Sequence, residues 1–373
     1  MSMYMSHKLQ YVEADLGFKF SKSSNEMAFC DFMEQVLVDC LELKGISLRG
    51  LSSPRLNDII SSMGGLQNLS LRLGQSLLPR TLCAIMAFPH LSELEVHAGH
   101  VDIEDLERNH TGAQFPSLRK LRIRAKSNLV QNVLHRIQRN NLRYLHIELD
   151  DPSPSTTSWN AILSLVCDQA ASSLLYLQIE HHFETPEIPT LSALDAAQSL
   201  NAPQNSITST MSFDDIQILC VVKKLRHFAC DVTLPPLFRD KDMADLVTWW
   251  PDLEHLELGS APQGDEAESI VTGAQITMAS LASFANQSPN LEKLILPLRI
   301  GDHPFPPTPS HPLVANKLRS LTIAQLRGCK PLELAEYLHQ LFPLLEGFEG
   351  PCDDTQMWTD TKAALVRHRI SQF

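Results

Sequence analysis

The chain has 373 residues, 43% of them hydrophobic but only 6% aromatic, and a formal net charge of −12 with the acidic residues dispersed. That composition supports a large aliphatic core and excludes the clustered basic face that general nucleic-acid binding needs to displace counterions. No window approaches the roughly 18 apolar residues of a membrane span, and the eight scattered cysteines contain no CxxC pair, so they read as reduced thiols in a core.

The N-terminal stretch carries Lys8, Glu13, Asp15 and Lys19 and no continuous apolar segment. A secretory signal is not expected, which places the protein in the cytoplasm, the nucleus or both. Leu16, Phe18 and Phe20 alternate like a strand, and Cys30, Met33 and Val36 follow at helical spacing. Residues 1–37 read as an N-terminal cap.

From residue 38 to about 350 one pattern recurs, LxxLxL. A degenerate copy, Val38-Asp-Cys-Leu41-Glu-Leu43, precedes nine clear ones that begin at Leu66, Leu91, Leu118, Leu142, Leu174, Leu225, Leu253, Leu291 and Leu318. A further degenerate copy lies near Leu345–Phe348. Early starts are 24 to 27 residues apart; the longest step, Leu174 to Leu225, is 51. The short steps match the period of a leucine-rich repeat, and the long ones need insertions. The last two apolar residues of each copy flank one polar residue, which is strand periodicity. One such strand cannot bury its apolar side alone, but parallel neighbours at about 4.8 Å share one core.

Helices fit between the strands. Leu129, Val130, Val133, Leu134 and Ile137 form a helical stripe, as do Trp159, Ile162, Leu163 and Val166, and later Leu334, Leu338 and Leu341. Phe88-Pro89, Phe115-Pro116, Trp250-Pro251, Ser288-Pro289 and Phe342-Pro343 read as helix stops, because proline drives its preceding residue out of the α region. The fold class expected is α/β: a leucine-rich-repeat solenoid of ten to eleven irregular repeats over 38–350, with a parallel sheet on the concave face and helices on the convex face. Pro- and Ser-rich insertions, the longest near 183–212, all follow strands and so crowd one rim, as a lid or as spacer. Residues 351–373 read as a C-terminal capping helix, opened by Asp353 and Asp354 and closed by Arg367, His368 and Arg369, charges that suit its dipole.

Polar residues beside the inward leucines align from repeat to repeat on the concave side. One column holds Lys120, Tyr144, Tyr176, His227 and His255; the next holds Arg122 and His146. Two protein-binding patches follow. In the first, Tyr144, Tyr176, His227 and His255 with His146 alongside, tyrosine offers contact area at low entropy cost, or these are ordinary exposed strand residues. In the second, Lys120, Arg122 and Arg124 either meet a partner or pair with Glu93, Glu95 and Glu148 on neighbouring strands.

The [Phe/Trp]-Pro-x-Leu-x-x-Leu-x-Leu form with irregular repeat lengths resembles the repeat region of fungal F-box proteins, within the ribonuclease-inhibitor-like superfamily. The resemblance covers about residues 38–350. It implies a module that selects a target for a cullin–RING ubiquitin ligase. Residues 1–37 lack the Leu-Pro opening and Ile/Leu-rich helices of an F-box, so a Skp-type adaptor is implied only where such a segment exists. The Asn or Cys usual after the strand is replaced by Gly74, Gly99, Lys126, Asp150, His182 and Ala261, which predicts less regular turns.

No phosphate-binding glycine motif and no HExxH occurs, and Gly45–Gly50 is one residue too long for a nucleophile elbow. His97 and His100, and Glu180, His181, His182 and Glu184, invite a metal reading, but no cysteine set completes either, and solvent-exposed histidine is expected. The reading is therefore a non-catalytic, monomeric, protein-binding module with no metal, cofactor, nucleic acid or membrane. A stand-alone scaffold without a ligase link is the alternative, and an enzyme using the rim loops is the third.

Overall fold

The structure, a computed structural model, describes residues 7–17, 23–108, 112, 114–152, 157–182, 211–233, 236–259, 276–301, 305–306, 316–326, 329–350 and 356–370. These residues hold one sheet of twelve strands: β1 (Tyr11–Asp15), β2 (Gly45–Arg49), β3 (Asn68–Arg72), β4 (Glu93–His97), β5 (Lys120–Ala125), β6 (Tyr144–Leu149), β7 (Tyr176–His181), β8 (His227–Val232), β9 (His255–Leu258), β10 (Lys293–Ile300), β11 (Ser320–Leu326) and β12 (Gly347–Glu349). Strand order in the sheet equals order in the chain, and every pairing is parallel.

The repeat phase sets this order. Leu145 pairs in register with Leu121 and Leu177, and Ile147 with Ile123 and Ile179. In β3 to β11 the two inward residues of each strand, from Leu69 and Leu71 to Leu321 and Ile323, are no more than 2% exposed. Each such side chain stabilises the fold by about 1.5–3 kcal/mol through burial, before the entropy of ordering is subtracted.

Helices return the chain between strands: α1 (Ser23–Asp39), α2 (Pro54–Ser61), α3 (Pro79–Met86), α4 (Ile103–Arg108), α5 (Ser127–His135), α6 (Trp159–Ala170), α7 (Phe213–Gln217), α8 (Asp240–Trp249), α9 (Met278–Gln287), α10 (Pro331–Leu341) and α11 (Gln356–Ile370). Each packs on helices beside it in sequence. Strand then helix, with parallel neighbours in chain order, is an α/β leucine-rich-repeat solenoid.

The proline stops work as physical chemistry requires. Trp250, Ser288 and Phe342 leave α8, α9 and α10 with ψ of 81°, 71° and 78°, outside the helical range. Their side chains, with Phe88, are buried and anchor the next strand's entry. Phe115-Pro116 differs: Phe115 is not a helix stop but bridges in parallel to Ile137, beneath the next repeat.

The N-terminus corrects the sequence reading in three places. The first strand is Tyr11–Asp15, not the Leu16–Phe20 alternation; Leu16 lies past its end, and Phe18 and Phe20 lie outside the described residues. Cys30, Met33 and Val36 do line the inner face of α1, but that helix runs through the expected 37/38 boundary. The Val38–Leu43 copy is not a rung: Val38 lies in the last turn of α1 and Leu41 is 90% exposed. The rung is Leu43-x-x-Ile46-x-Leu48, whose last two residues pair with Leu69 and Leu71.

The turns are satisfied one by one rather than by a repeated asparagine. Buried Asn57 donates to the carbonyls of Ser53 and Ser76 and accepts from the Leu78 amide. Asp151 accepts from the amide and hydroxyl of Ser127 where α5 begins. Asp240, opening α8, accepts from the amide and hydroxyl of Thr277 and from the Ser280 hydroxyl at 2.6–2.8 Å, tying α8 to α9. Each tie supplies a partner to a donor that would otherwise be orphaned at a helix start. Arg367, His368 and Arg369 close α11 as expected, whereas Asp353, Asp354 and the 183–210 insertion lie outside the described residues.

Candidate functional site

On β3 to β9 the residues between and beside the inward pairs point away from the helices, onto the concave face. The first column pairs Lys120 with Tyr144, Tyr144 with Tyr176, Tyr176 with His227 and His227 with His255. The rings form a continuous stack. Centroids lie 4.0 Å apart for Tyr144–Tyr176, 3.9 Å for Tyr176–His227 and 3.9 Å for His227–His255. The planes of the first two pairs are nearly parallel, and the third pair is tilted by 53°. Lys120 Nζ closes one end, 5.2 Å from the Tyr144 ring centroid, and Lys293 continues the column beyond His255. Parallel strands about 4.8 Å apart impose the spacing, so rings in one register position lean into contact.

The stack is half-buried rather than plainly exposed. The Tyr176 hydroxyl donates to Gln178 Oε1, and Gln178 Nε2 donates to Glu180 Oε1 at 2.6 Å. Burial, reinforced by the Tyr144 phenol, pushes the Tyr176 pKa above the usual range. Burial first, then the neighbouring His255, lowers the His227 pKa to about 4.

His146 is placed differently from the sequence reading. It stands in the second concave column but is only 3% exposed, so it is no contact residue. Its Nε2 lies 2.9 Å from Glu180 Oε1, yet outside hydrogen-bond geometry, and the buried nitrogen has no hydrogen-bond partner. Burial lowers its pKa despite that carboxylate.

The basic patch is internally paired. Lys120 meets Glu93 and Arg122 meets Glu95, both at 3.5 Å, while Arg124 meets Glu148 at 3.0 Å and Asp150 at 2.8 Å. Glu95 also binds Ser70 and Arg72; these bonds outweigh its burial and hold its pKa below the usual carboxylate range. The pairing alternative read from sequence describes these three cations. Beside them Tyr11, Glu13, Glu95, Lys120, Arg122 and Tyr144 line a shallow cavity of about 320 Å³.

The metal-like motifs resolve into structure. His181 is fully buried, not solvent-exposed: it packs edge-on to Trp159, and its Nε2 lies 3.1 Å from the Asp151 carbonyl. His100 Nε2 lies 2.8 Å from the Leu77 carbonyl. Among the described residues no three His, Cys, Asp or Glu side chains are grouped to hold a metal ion, and no helix is long and apolar enough to cross a membrane.

The sequence reading took Glu180 only as part of a metal-like motif, gave Gln178 no role of its own and did not single out Asp231. Their signal was present: extending each strand by one more alternation yields a third column, Arg72, His97, Arg124, Glu148, Glu180 and Asp231.

No protein-family model matches the chain, and no curated protein matches it. Among solved structures, the chain is similar to a leucine-rich-repeat protein of Leptospira interrogans, with 14% identity over 92% of this chain and 73% of that one, at a TM-score of 0.42. It is also similar to a chain of the yeast Rad7–Elc1 complex, with 16% identity over 86% of each chain, at a TM-score of 0.37.

Proposed function

We propose that this chain is a non-catalytic module that binds a protein on the concave face of its solenoid, anchored on the stack from Tyr144 to His255. The stack itself carries the reading: four half-buried rings in continuous contact across four adjacent strands. Stacking orders the side chains before a partner arrives, so less rotamer entropy is lost on binding. Tyrosine in such a setting is enriched at interface hot spots.

The test is affinity purification with the wild-type chain and with Tyr144→Ala/Tyr176→Ala. The double variant loses the specific partner, while circular dichroism remains that of a folded solenoid. An identical partner set for both proteins rejects the site.

Within that reading we infer descent from the substrate-recognition subunits of cullin–RING ligases, supported by the [Phe/Trp]-Pro-x-Leu-x-x-Leu-x-Leu resemblance. A Skp-type adaptor and a cullin then co-purify with the chain from cytoplasm or nucleus. Their consistent absence favours the stand-alone scaffold. Sedimentation of the isolated chain as a monomer belongs to either reading.

A further inference from the structure

The cavity on the concave face between β1 and β6 has its cause in the sequence. On β2 and β3 the concave positions hold short side chains, Gly45, Ser47, Asn68 and Ser70. Long ones flank them: Tyr11 and Glu13 on β1, then Glu93, Glu95, Lys120 and Arg122 on β4 and β5. Long walls around a short floor leave about 320 Å³, at the small end of ligand-binding cavities. Gly45 is needed there. A Cβ at that position would stand 2.6 Å from Tyr11 Cδ1, so only glycine lets the ring settle against the floor.

The polar groups around this floor are balanced in charge but not in hydrogen bonds. Glu13, Glu93 and Glu95 stand with Lys120 and Arg122, and Arg72 reaches Glu95 from outside the lining. Glu95 is filled by Ser70 and Arg72. Lys120 and Arg122 lie 3.5 Å from Glu93 and Glu95 as ion pairs outside hydrogen-bond geometry, and the buried Arg122 Nε has no acceptor. Among the described residues the side chains of Glu13, Ser47 and Asn68 make no hydrogen bond either. Both cation heads sit beside β4 carboxylates, which places them within about 10 Å of the β2 floor, two strand spacings.

We propose that this cavity binds a neutral saccharide of one or two rings. It shares Tyr144 with the aromatic stack but draws its polar groups from β1 to β5. A hydroxyl both donates and accepts, so a sugar gives to Glu13 and Glu93, takes from Lys120 and Arg122, and does both with Ser47 and Asn68. A charged ligand of either sign loses here: an anion on the floor meets Glu13 and Glu93, and a cation meets Lys120 and Arg122. An extended peptide offers one donor and one acceptor per residue, whereas a sugar ring carries several hydroxyls in the same space. Tyr11, 58% exposed, supplies ring surface for the C–H side of the sugar.

The experiment uses the full chain and saturation-transfer difference NMR, with titration of each sugar that responds. Maltose, cellobiose, lactose and diacetylchitobiose are the neutral probes; glucose, glucosamine and glucuronate form a neutral, cationic and anionic set of one size. At least one neutral disaccharide binds saturably, and glucose binds better than either charged sugar. Asn68→Ala/Glu93→Gln weakens the disaccharide by at least about tenfold, the scale of two lost hydrogen bonds. Ser47→Phe fills the floor and abolishes binding, while circular dichroism stays that of the wild type. Glu107→Gln, on the exposed side of α4, leaves binding unchanged. Equal binding of the disaccharide's methyl glycoside supports the proposal with a chain-linked sugar as the source, and binding of the free sugar alone supports it with free sugar. Absence of saturable neutral binding, tighter binding of a charged sugar, or full binding by both cavity variants overturns it. Binding of acetyl-tetraglycine amide in place of any sugar overturns it in favour of a peptide main chain. If every sugar fails while the double tyrosine variant still loses its purified partner, the protein-binding reading stands and the saccharide assignment falls.

Discussion

At the scale of single residues, the stacked rings hold the clearest consequences. Aromatic pairs contribute about 0.5–1.5 kcal/mol beyond the area they bury, so Tyr176→Ala, which breaks two contacts, lowers stability by about 1–3 kcal/mol in denaturant unfolding. An unchanged midpoint shows that the rings do not stack in solution. His227 makes a pH-dependent contribution. Its folded pKa of about 4 lies below the unfolded value near 6.5, so the unfolded chain binds the extra proton as pH falls between them. Stability is complete above about pH 6.5 and declines toward pH 4, and His227→Gln flattens that limb. An NMR titration showing His227 protonated at pH 6 refutes this. Tyr176, His255, Glu257 and Lys293 are the groups around the ring that set its field. The residues of the stack were legible in the sequence, since the repeat phase aligned them in one column. The contact was not, because ring orientation depends on Gln178 and Glu180, which sequence alone does not tie to Tyr176.

At the scale of elements, the links between helices depend on a few polar side chains. Asp240 joins α8 to α9 with three bonds, and hydrogen bonds to charged groups contribute about 1.5–3 kcal/mol. Asp240→Ala should therefore cost at least that much and speed amide exchange in α9 selectively, measured by hydrogen–deuterium exchange. Uniform exchange along the chain contradicts the tie. Sequence inspection placed the strands because their apolar pairs face one shared core. It misjudged the first rung because Val38, Leu41 and Leu43 reproduce the pattern five residues early, while α1 consumes Val38 and leaves Leu41 in solvent. β1 escaped it because that strand buries only Val12, at the edge of the described sheet. Buried His181 escaped it for another reason: a polar side chain is recognised as core only when its partners, Trp159 and the Asp151 carbonyl, are known.

At the scale of the molecule, a stack of rungs has stability that is a sum of local terms and neighbour interfaces. Leu145 is fully buried at the middle of that stack. Leu145→Ala lowers stability by about 2–5 kcal/mol, and Leu145→Asp, which buries an unpaired carboxylate, costs more. Exchange protection should fall first in β5 to β7 and persist in β1–β2 and β11–β12. Simultaneous loss at both ends contradicts nearest-neighbour coupling. Because strand order repeats chain order, with each strand laid against its predecessor, a growing polypeptide never waits for a distant segment in order to extend the sheet. Winding can keep pace with the ribosome, and the aromatic row would assemble ring by ring, from Tyr144 onward, while the carboxyl-terminal third is still being translated.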